Sequence, residues 1–162
     1  GHTGDFILKD NLLYLDADTA EAFRKMMAAY VAETGHKNIW LRNAYYYDPK
    51  NEDIAATEDI NEALLNPHAA GLAVDIQIST TNGQIPLKNA YAGYPMAEYY
   101  DWFLANCHKY GFIIRYPKGK EHITGYIYEP WHVRYLGVEK ATAVYESGLC
   151  LEEYLGITSS YS

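Results

Sequence analysis

The run Leu72-Ala-Val-Asp-Ile-Gln-Ile78 reads as a strand, and it sets a carboxylate, Asp75, among apolar neighbours. A charge in such a place is costly unless it is paired or bound to a metal. The fold therefore has to supply a counter-group for Asp75. Upstream, Phe6–Leu8 and Leu12–Leu15 flank Lys9-Asp10-Asn11 as a small hairpin. Asp16 or Asp18 can cap a helix running to about Thr34, with Phe23, Met27, Tyr30 and Val31 at helical spacing and Gly35 placed to stop it. Ile39–Leu41 is a short buried strand leading into a polar loop over Tyr46–Ala56. Thr57 opens a second helix that must end near Asn66, because Pro67 disfavours helical geometry in the residue before it. Beyond the Asp75 strand, a helix from about Met96 to Tyr110 ends at Gly111. Strands are expected at Phe112–Arg115, Gly125–Tyr128 and His132–Tyr135, and a helix over Val138–Ser147. Hairpins and helices mix without regular β-α-β alternation, so the predicted class is α+β, a small mixed or antiparallel sheet flanked by helices.

The length of 162 residues suits one domain, 1–162, in which residues 1–5 read as a linker remnant of a trimmed chain. Apolar residues at 49% and charged residues at 21% exclude disorder. Thirteen Lys and Arg against 21 Asp and Glu leave a net charge of −8, and the cluster Lys118–Lys120 is too short to make a phosphate-binding stripe. Nucleic acid is therefore not an expected partner. No apolar run approaches the roughly 20 residues that cross a bilayer, so no membrane insertion is expected within the chain, and no signal segment is read in it. Cys107 and Cys150 lie in no CxxC pattern and make either one disulfide or two buried thiols. Seventeen tyrosines suit a wet, polar-lined cleft, or simply a Tyr-rich surface.

Two segments carry chemistry: Asn66-Pro-His68-Ala-Ala-Gly71-Leu-Ala73-Val-Asp75 and Glu129-Pro-Trp131-His132-Val-Arg134-Tyr135. Zinc favours four-coordination by imidazole nitrogen and carboxylate oxygen, and catalytic sites typically use three protein ligands plus a water. His68, Asp75 and His132 supply such a set, and Glu129 is then a carboxylate left over to deprotonate the water. On the residues alone other readings stay open. A lone His near a strand is more often a satisfied structural residue, and Glu129-Pro130 can be a turn with a solvated acid.

At these residues the sequence resembles the VanY-type zinc D,D-carboxypeptidases and their L,D-carboxypeptidase relatives, which trim peptidoglycan stem peptides. The family pattern Ser-x-His-x-x-Gly-x-Ala-x-Asp is matched at His68, Gly71, Ala73 and Asp75, and the downstream Glu-Pro-Trp-His at Glu129–His132. The run Tyr110–Pro117 between them and Leu151–Leu155 after them are also family-like, so the resemblance covers roughly residues 36–157. It implies zinc held by His68, Asp75 and His132, Glu129 as catalytic base, and the compact α+β fold shared with the Hedgehog signalling domain. It further implies peptidoglycan stem peptides as partners, an extracellular or cell-surface bacterial location, and D-alanyl-D-alanine or L,D cleavage. No residue read here fixes an oligomeric state, and a monomer is the expectation. The alternative is a zinc-containing wall-binding or interaction module with reduced or no turnover.

The chain also departs from the pattern. The family Ser is Asn66, the frequent Gln-Thr after the first His is Ala69-Ala70, and the upstream Ser-Gly-Tyr-Arg-Ser is Asn43-Ala44-Tyr45-Tyr46-Tyr47. Tyr46 thus stands at the Arg position, where a neutral phenol cannot replace a bidentate guanidinium for a carboxylate. Of four arginines, Arg24 is expected in solvent and Arg115 in a structural ion pair. Arg42 and Arg134 are the candidates to read the substrate carboxylate, with hydroxyl contacts from Tyr45 and Tyr46. In a strand, Arg134 shares a face with His132. Asn66 and Trp131 complete the expected substrate-binding set, Trp131 as a wall of the site or an anchor in the core. His36 is read as a solvated loop residue, His108 as a cation favoured by a helix C-terminus, and His122 as part of a charged loop.

Overall fold

Asp16 accepts the Asp18 and Thr19 backbone N–H groups at 3.1 and 3.2 Å and so caps helix α1, Ala17–Thr34, while Gly35 in the left-handed region ends it. The computed structural model describes residues 2–3, 6–8, 15–37, 39–43, 71–80, 83–84 and 98–158. They group into two units, Gly1–Gln84 and Ile85–Ser162.

In the first unit, α1 buries Phe23, Met26, Met27 and Tyr30 at i, i+3, i+4 and i+7, the stripe of an amphipathic helix. Met26 joins the expected stripe, and Val31 lies only half-buried. Strand β1 (His2–Thr3) is antiparallel to β2 (Phe6–Leu8), which runs parallel to β3 (Ile39–Asn43). Strand β3 is antiparallel to β4 (Ala73–Thr80), and β5 (Gly83–Gln84) folds back on β4. Strand β2 thus takes its partners from β1 and β3. Of the second arm of the expected hairpin only Leu15 is described, and it lies outside any strand. The loop over 46–56 and the helix from Thr57 fall outside the described residues.

Side chains from Ala73 to Ile78 are buried on both faces of β4, which explains why its sequence is nearly continuous in apolar residues. Gly71, two residues before β4, has φ +68°, and an added Cβ would lie 2.8 Å from the Asp16 nitrogen. Its carbonyl accepts the Asp16 N–H at 3.1 Å, so the start of α1 is fastened directly to the lead-in of β4.

Among the described residues of the second unit, α2 (Glu98–Asn106) comes first; it tightens into a 3-10 turn over Cys107–Tyr110 and stops at Gly111. A Cβ on Gly111, φ +90°, would sit 2.6 Å from the Tyr135 ring, so both its conformation and the space demand glycine. Strand β6 (Phe112–Ile114) then pairs antiparallel with β7 (His132–Tyr135), Phe112 opposite Tyr135 and Ile114 opposite Val133. Helices α3 (Glu121–Thr124), α4 (Val138–Ser147) and α5 (Leu151–Tyr154) complete the unit. Tyr100, Phe103, Phe112, Val133, Ala141 and Leu151 form its core.

Gly125–Tyr128 is not a strand. Gly125 ends α3 in the left-handed region, and the Thr124 hydroxyl accepts the Tyr126 N–H at 3.2 Å. Local side-chain bonding of this kind competes with a ladder, and Tyr126 and Ile127, 52% and 62% exposed, provide no buried face to hold one. Cys107 and Cys150 are both buried free thiols.

Candidate active site

The segment Glu129–His132 is held from both ends by one neighbouring stretch of chain. The Glu129 N–H donates to the Tyr116 carbonyl at 3.0 Å, and the Arg115 N–H donates to the His132 carbonyl at 3.0 Å. Between them the His132 N–H donates to the Glu129 carbonyl at 3.1 Å, a turn that fits Pro130 and folds the two side chains together. Glu129 Oε2 lies 3.4 Å from His132 Nδ1, with the carboxylate partly exposed and the imidazole buried. The acid thus stays open to solvent while its histidine is fixed in the protein. Tyr116 packs its ring 4.9 Å from that of His132 and stacks on Tyr126 at 4.2 Å. Burial pushes the Tyr116 phenol well above its usual range, so it stays a neutral hydroxyl. Neither Tyr116 nor Tyr126 is singled out by sequence reasoning; the signal for the former is its place in the run Tyr110–Pro117.

Strand β7 carries Arg134 two residues past His132. Arg134 is 6% exposed, and its Nε and Nη1 make no hydrogen bond among the described residues. Desolvation first, and then the like charge of Arg115, lower its pKa to about 10, so it remains a cation at neutral pH. Tyr116 packs on His132, and the two-residue period of a strand sets Arg134 on the same face of β7 as His132. Arg115 has the expected structural ion pair. Its Nη1 and Nη2 donate to the two oxygens of Glu152 at 3.0 and 2.6 Å, deep in the unit. Arg24 is exposed beside Glu21. Trp131 is buried.

In the first unit, Asp75 is 8% exposed between the fully buried Val74 and Ile76. Opposite it on β3 stands Asn43, and the register slips by one residue between Leu41 and Asn43. That slip makes Arg42 the extra residue of a β-bulge next to the Asp75 pairing. Bulges commonly re-aim chain beside functional sites. His68, Asn66, Tyr45 and Tyr46 lie outside the described residues.

His108 is not the expected helix-end cation. It is buried and stacked on Tyr145 at 3.8 Å, and desolvation lowers its pKa, so it is neutral at pH 7. Burial cost outweighs the dipole's gain here.

A buried carboxylate and a buried imidazole are donors that zinc accepts, so the chemistry of Asp75 and His132 fits that metal. Among the described residues no three His, Cys, Asp or Glu side chains gather as a metal group, and the third expected ligand, His68, is not among them.

Residues 12–138 match the family described as VanY, D-alanyl-D-alanine carboxypeptidase, and the chain belongs to that family. It is 37% identical over 151 residues to YodJ of Bacillus subtilis (strain 168), a provisionally named carboxypeptidase, covering 87% of this chain and 53% of that relative. The chain thus spans about half the length of that relative. Among solved structures, the LdcB LD-carboxypeptidase superposes with a TM-score of 0.71 at 28% identity, covering 96% of this chain and 76% of that one. A variant of the D,D-pentapeptidase VanY from a VanB-type resistance cassette, in complex with Zn(II), gives 0.65 at 27% identity, covering 92% and 88%.

Proposed function

We propose that the chain is a zinc-dependent carboxypeptidase domain that hydrolyses the terminal peptide bond of peptidoglycan stem peptides, of D-alanyl-D-alanine or L,D type. The observation that carries this reading is Glu129 Oε2 at 3.4 Å from a buried His132, a solvent-reached base fixed against a metal-ligand side chain. His68, Asp75 and His132 would hold the ion. Zinc, when bound, lowers the pKa of a coordinated water towards ~7 and polarises the scissile carbonyl. Glu129 takes the proton of the attacking water and hands it to the leaving amine, an action typically worth about 10²–10⁴ in rate. The chain ends of such substrates are carboxylates, and the buried Arg134, whose Nε and Nη1 have no partner among the described residues, offers a guanidinium edge for one. Arg42 is the other candidate, with Tyr45, Tyr46, Asn66 and Trp131 shaping the remainder of the pocket. A peptidoglycan substrate would put its site of action outside a bacterial cell or on its surface; no described helix is long and apolar enough to cross a membrane.

A second reading, a zinc-bearing wall-binding module without turnover, is favoured by Tyr46 in the place of the family Arg. An acid beside His132 has no use in such a module. The test is incubation of the zinc-loaded protein with tetrapeptide and pentapeptide stems, followed by mass spectrometry. Loss of D-Ala from the pentapeptide marks D,D cleavage and from the tetrapeptide L,D cleavage. Both stems intact, with binding retained, would establish the module instead.

A further inference from the structure

Backbone bonds fasten Glu129 to Tyr116 and His132 to Arg115. The side chains of Arg115 and Tyr116 make a second, separate set of contacts behind the histidine. The Tyr116 ring lies 4.9 Å from the His132 ring, tilted by 56°. The guanidinium carbon of Arg115 lies 4.9 Å from the centroid of the same Tyr116 ring, inside the roughly 6 Å at which an aromatic face holds a cation. Arg115 is fixed in turn by Glu152, whose two oxygens accept from Nη1 and Nη2 at 3.0 and 2.6 Å, while Nε has no hydrogen-bond partner among the described residues. A planar fork seated on a carboxylate defines one orientation of the guanidinium, which a point charge on a flexible stem does not.

Glu152 is itself set by local structure. It is the second residue of α5, and the first turn of that helix is closed by Glu153 accepting the Cys150 N–H at 2.9 Å. Glu153 also pairs with Lys120 at 2.8 Å, so α5 is tied to the stretch 115–120 both at a part-exposed pair and at a buried one. Contacts therefore run without a gap from α5 to the imidazole, through Glu152, Arg115, Tyr116 and His132, and each of these residues is buried.

We infer that Arg115 is a positioning residue for the zinc chemistry: oriented by Glu152, its guanidinium holds the Tyr116 ring, and that ring sets the plane of the His132 imidazole. The inference rests on the function proposed above, in which His132 is a ligand, and it needs neither Arg115 nor Glu152 to touch metal or substrate. Removing a group that orients a metal-ligating histidine typically costs about 10–100-fold in metal affinity or activity. A purely structural ion pair would instead let zinc affinity and rate follow stability.

The double change Arg115→Met with Glu152→Leu separates the two, because it removes charge and counter-charge together and leaves no cation over Tyr116. Zinc affinity of the full chain is read by competition with a chromogenic chelator, and kcat and KM on the stem peptide that the unaltered chain cleaves. The double variant should melt near the unaltered chain, bind zinc about 10–100-fold more weakly, and lose kcat with KM little changed. Tyr116→Leu, which keeps the ion pair and removes the ring, should weaken zinc to a similar extent, whereas Tyr116→Phe, which keeps the ring, should retain the zinc affinity. Zinc affinity and kcat that return with stability in the double variant would overturn the positioning role and leave the peptidase reading in place. Equal zinc affinity in Tyr116→Leu and Tyr116→Phe would do the same, and it decides the matter if the double variant does not fold. If the unaltered chain binds zinc but cleaves neither stem, the peptidase reading falls and the zinc affinities still decide this one; an unaltered chain that takes up no zinc would overturn both.

Discussion

Replacing Glu152 with Ala would strand the Arg115 guanidinium inside the second unit. Both of its side-chain hydrogen bonds among the described residues, at 3.0 and 2.6 Å, end on that one carboxylate, and the pair is nearly shut off from water. Breaking a buried pair by deleting one partner typically costs about 3–5 kcal/mol, because the remaining charge keeps its desolvation penalty. For a chain of this length each kcal/mol lowers Tm by about 2–4 °C, so the expected loss is roughly 6–20 °C. Glu21→Ala is the internal control. Its partner Arg24 is more than half exposed, and exposed pairs contribute about 0–1 kcal/mol. The damage should also reach the chemistry, since Arg115 and Tyr116 hold the backbone of His132 and Glu129 by two hydrogen bonds of 3.0 Å. Urea unfolding followed by fluorescence and circular dichroism gives both stabilities. The double change Arg115→Met with Glu152→Leu should recover most of the loss, because it removes charge and counter-charge together. A loss below ~1 kcal/mol in Glu152→Ala, or one equal to that of Glu21→Ala, would refute this reasoning.

Glu129→Gln should keep zinc content, read by elemental analysis, while hydrolysis falls at least ~10²-fold; loss of the metal would make Glu129 a ligand. Gly71→Ala should destabilise more than Gly148→Ala in thermal melts. Both have φ +68°, but an added Cβ meets the Asp16 nitrogen at 2.8 Å only at Gly71 and meets nothing within 4 Å at Gly148. Glu153 is held at about 2, first by its hydrogen bond to Lys120 and then by the Cys150 N–H. A depressed carboxyl stabilises the fold above the ordinary value of ~4.3 and loses that contribution as pH falls towards 2. Lys120→Ala should therefore raise the Glu153 midpoint in an NMR titration, and an unmoved midpoint would assign the shift to the backbone alone. Arg134→Ala and Arg42→Ala should each be compared on free-acid and C-terminally amidated peptides. A kcat/KM loss confined to the acid identifies the carboxylate reader, and equal losses on both dismiss it.

The sequence by itself determined the local elements with strong periodicity or strong stops. Helix α1 lies between its caps Asp16 and Gly35, and α4 spans Val138–Ser147 up to its stop at Gly148, because caps, stops and apolar stripes act over one or two turns. It also determined the motif residues, since the Glu129–His132 spacing is a property of four adjacent positions. What it could not determine was anything set by distant partners. Arg115 was readable as paired but Glu152, 37 positions away, was not. Tyr116 came to lie against His132 only because β6 and β7 pair, and Gly125–Tyr128 lost its strand to a local hydroxyl bond and an exposed surface. His108 shows the same division most sharply. Helix position argued for a cation, but only the tertiary structure decided how much water the ring would lose, and desolvation decided its charge.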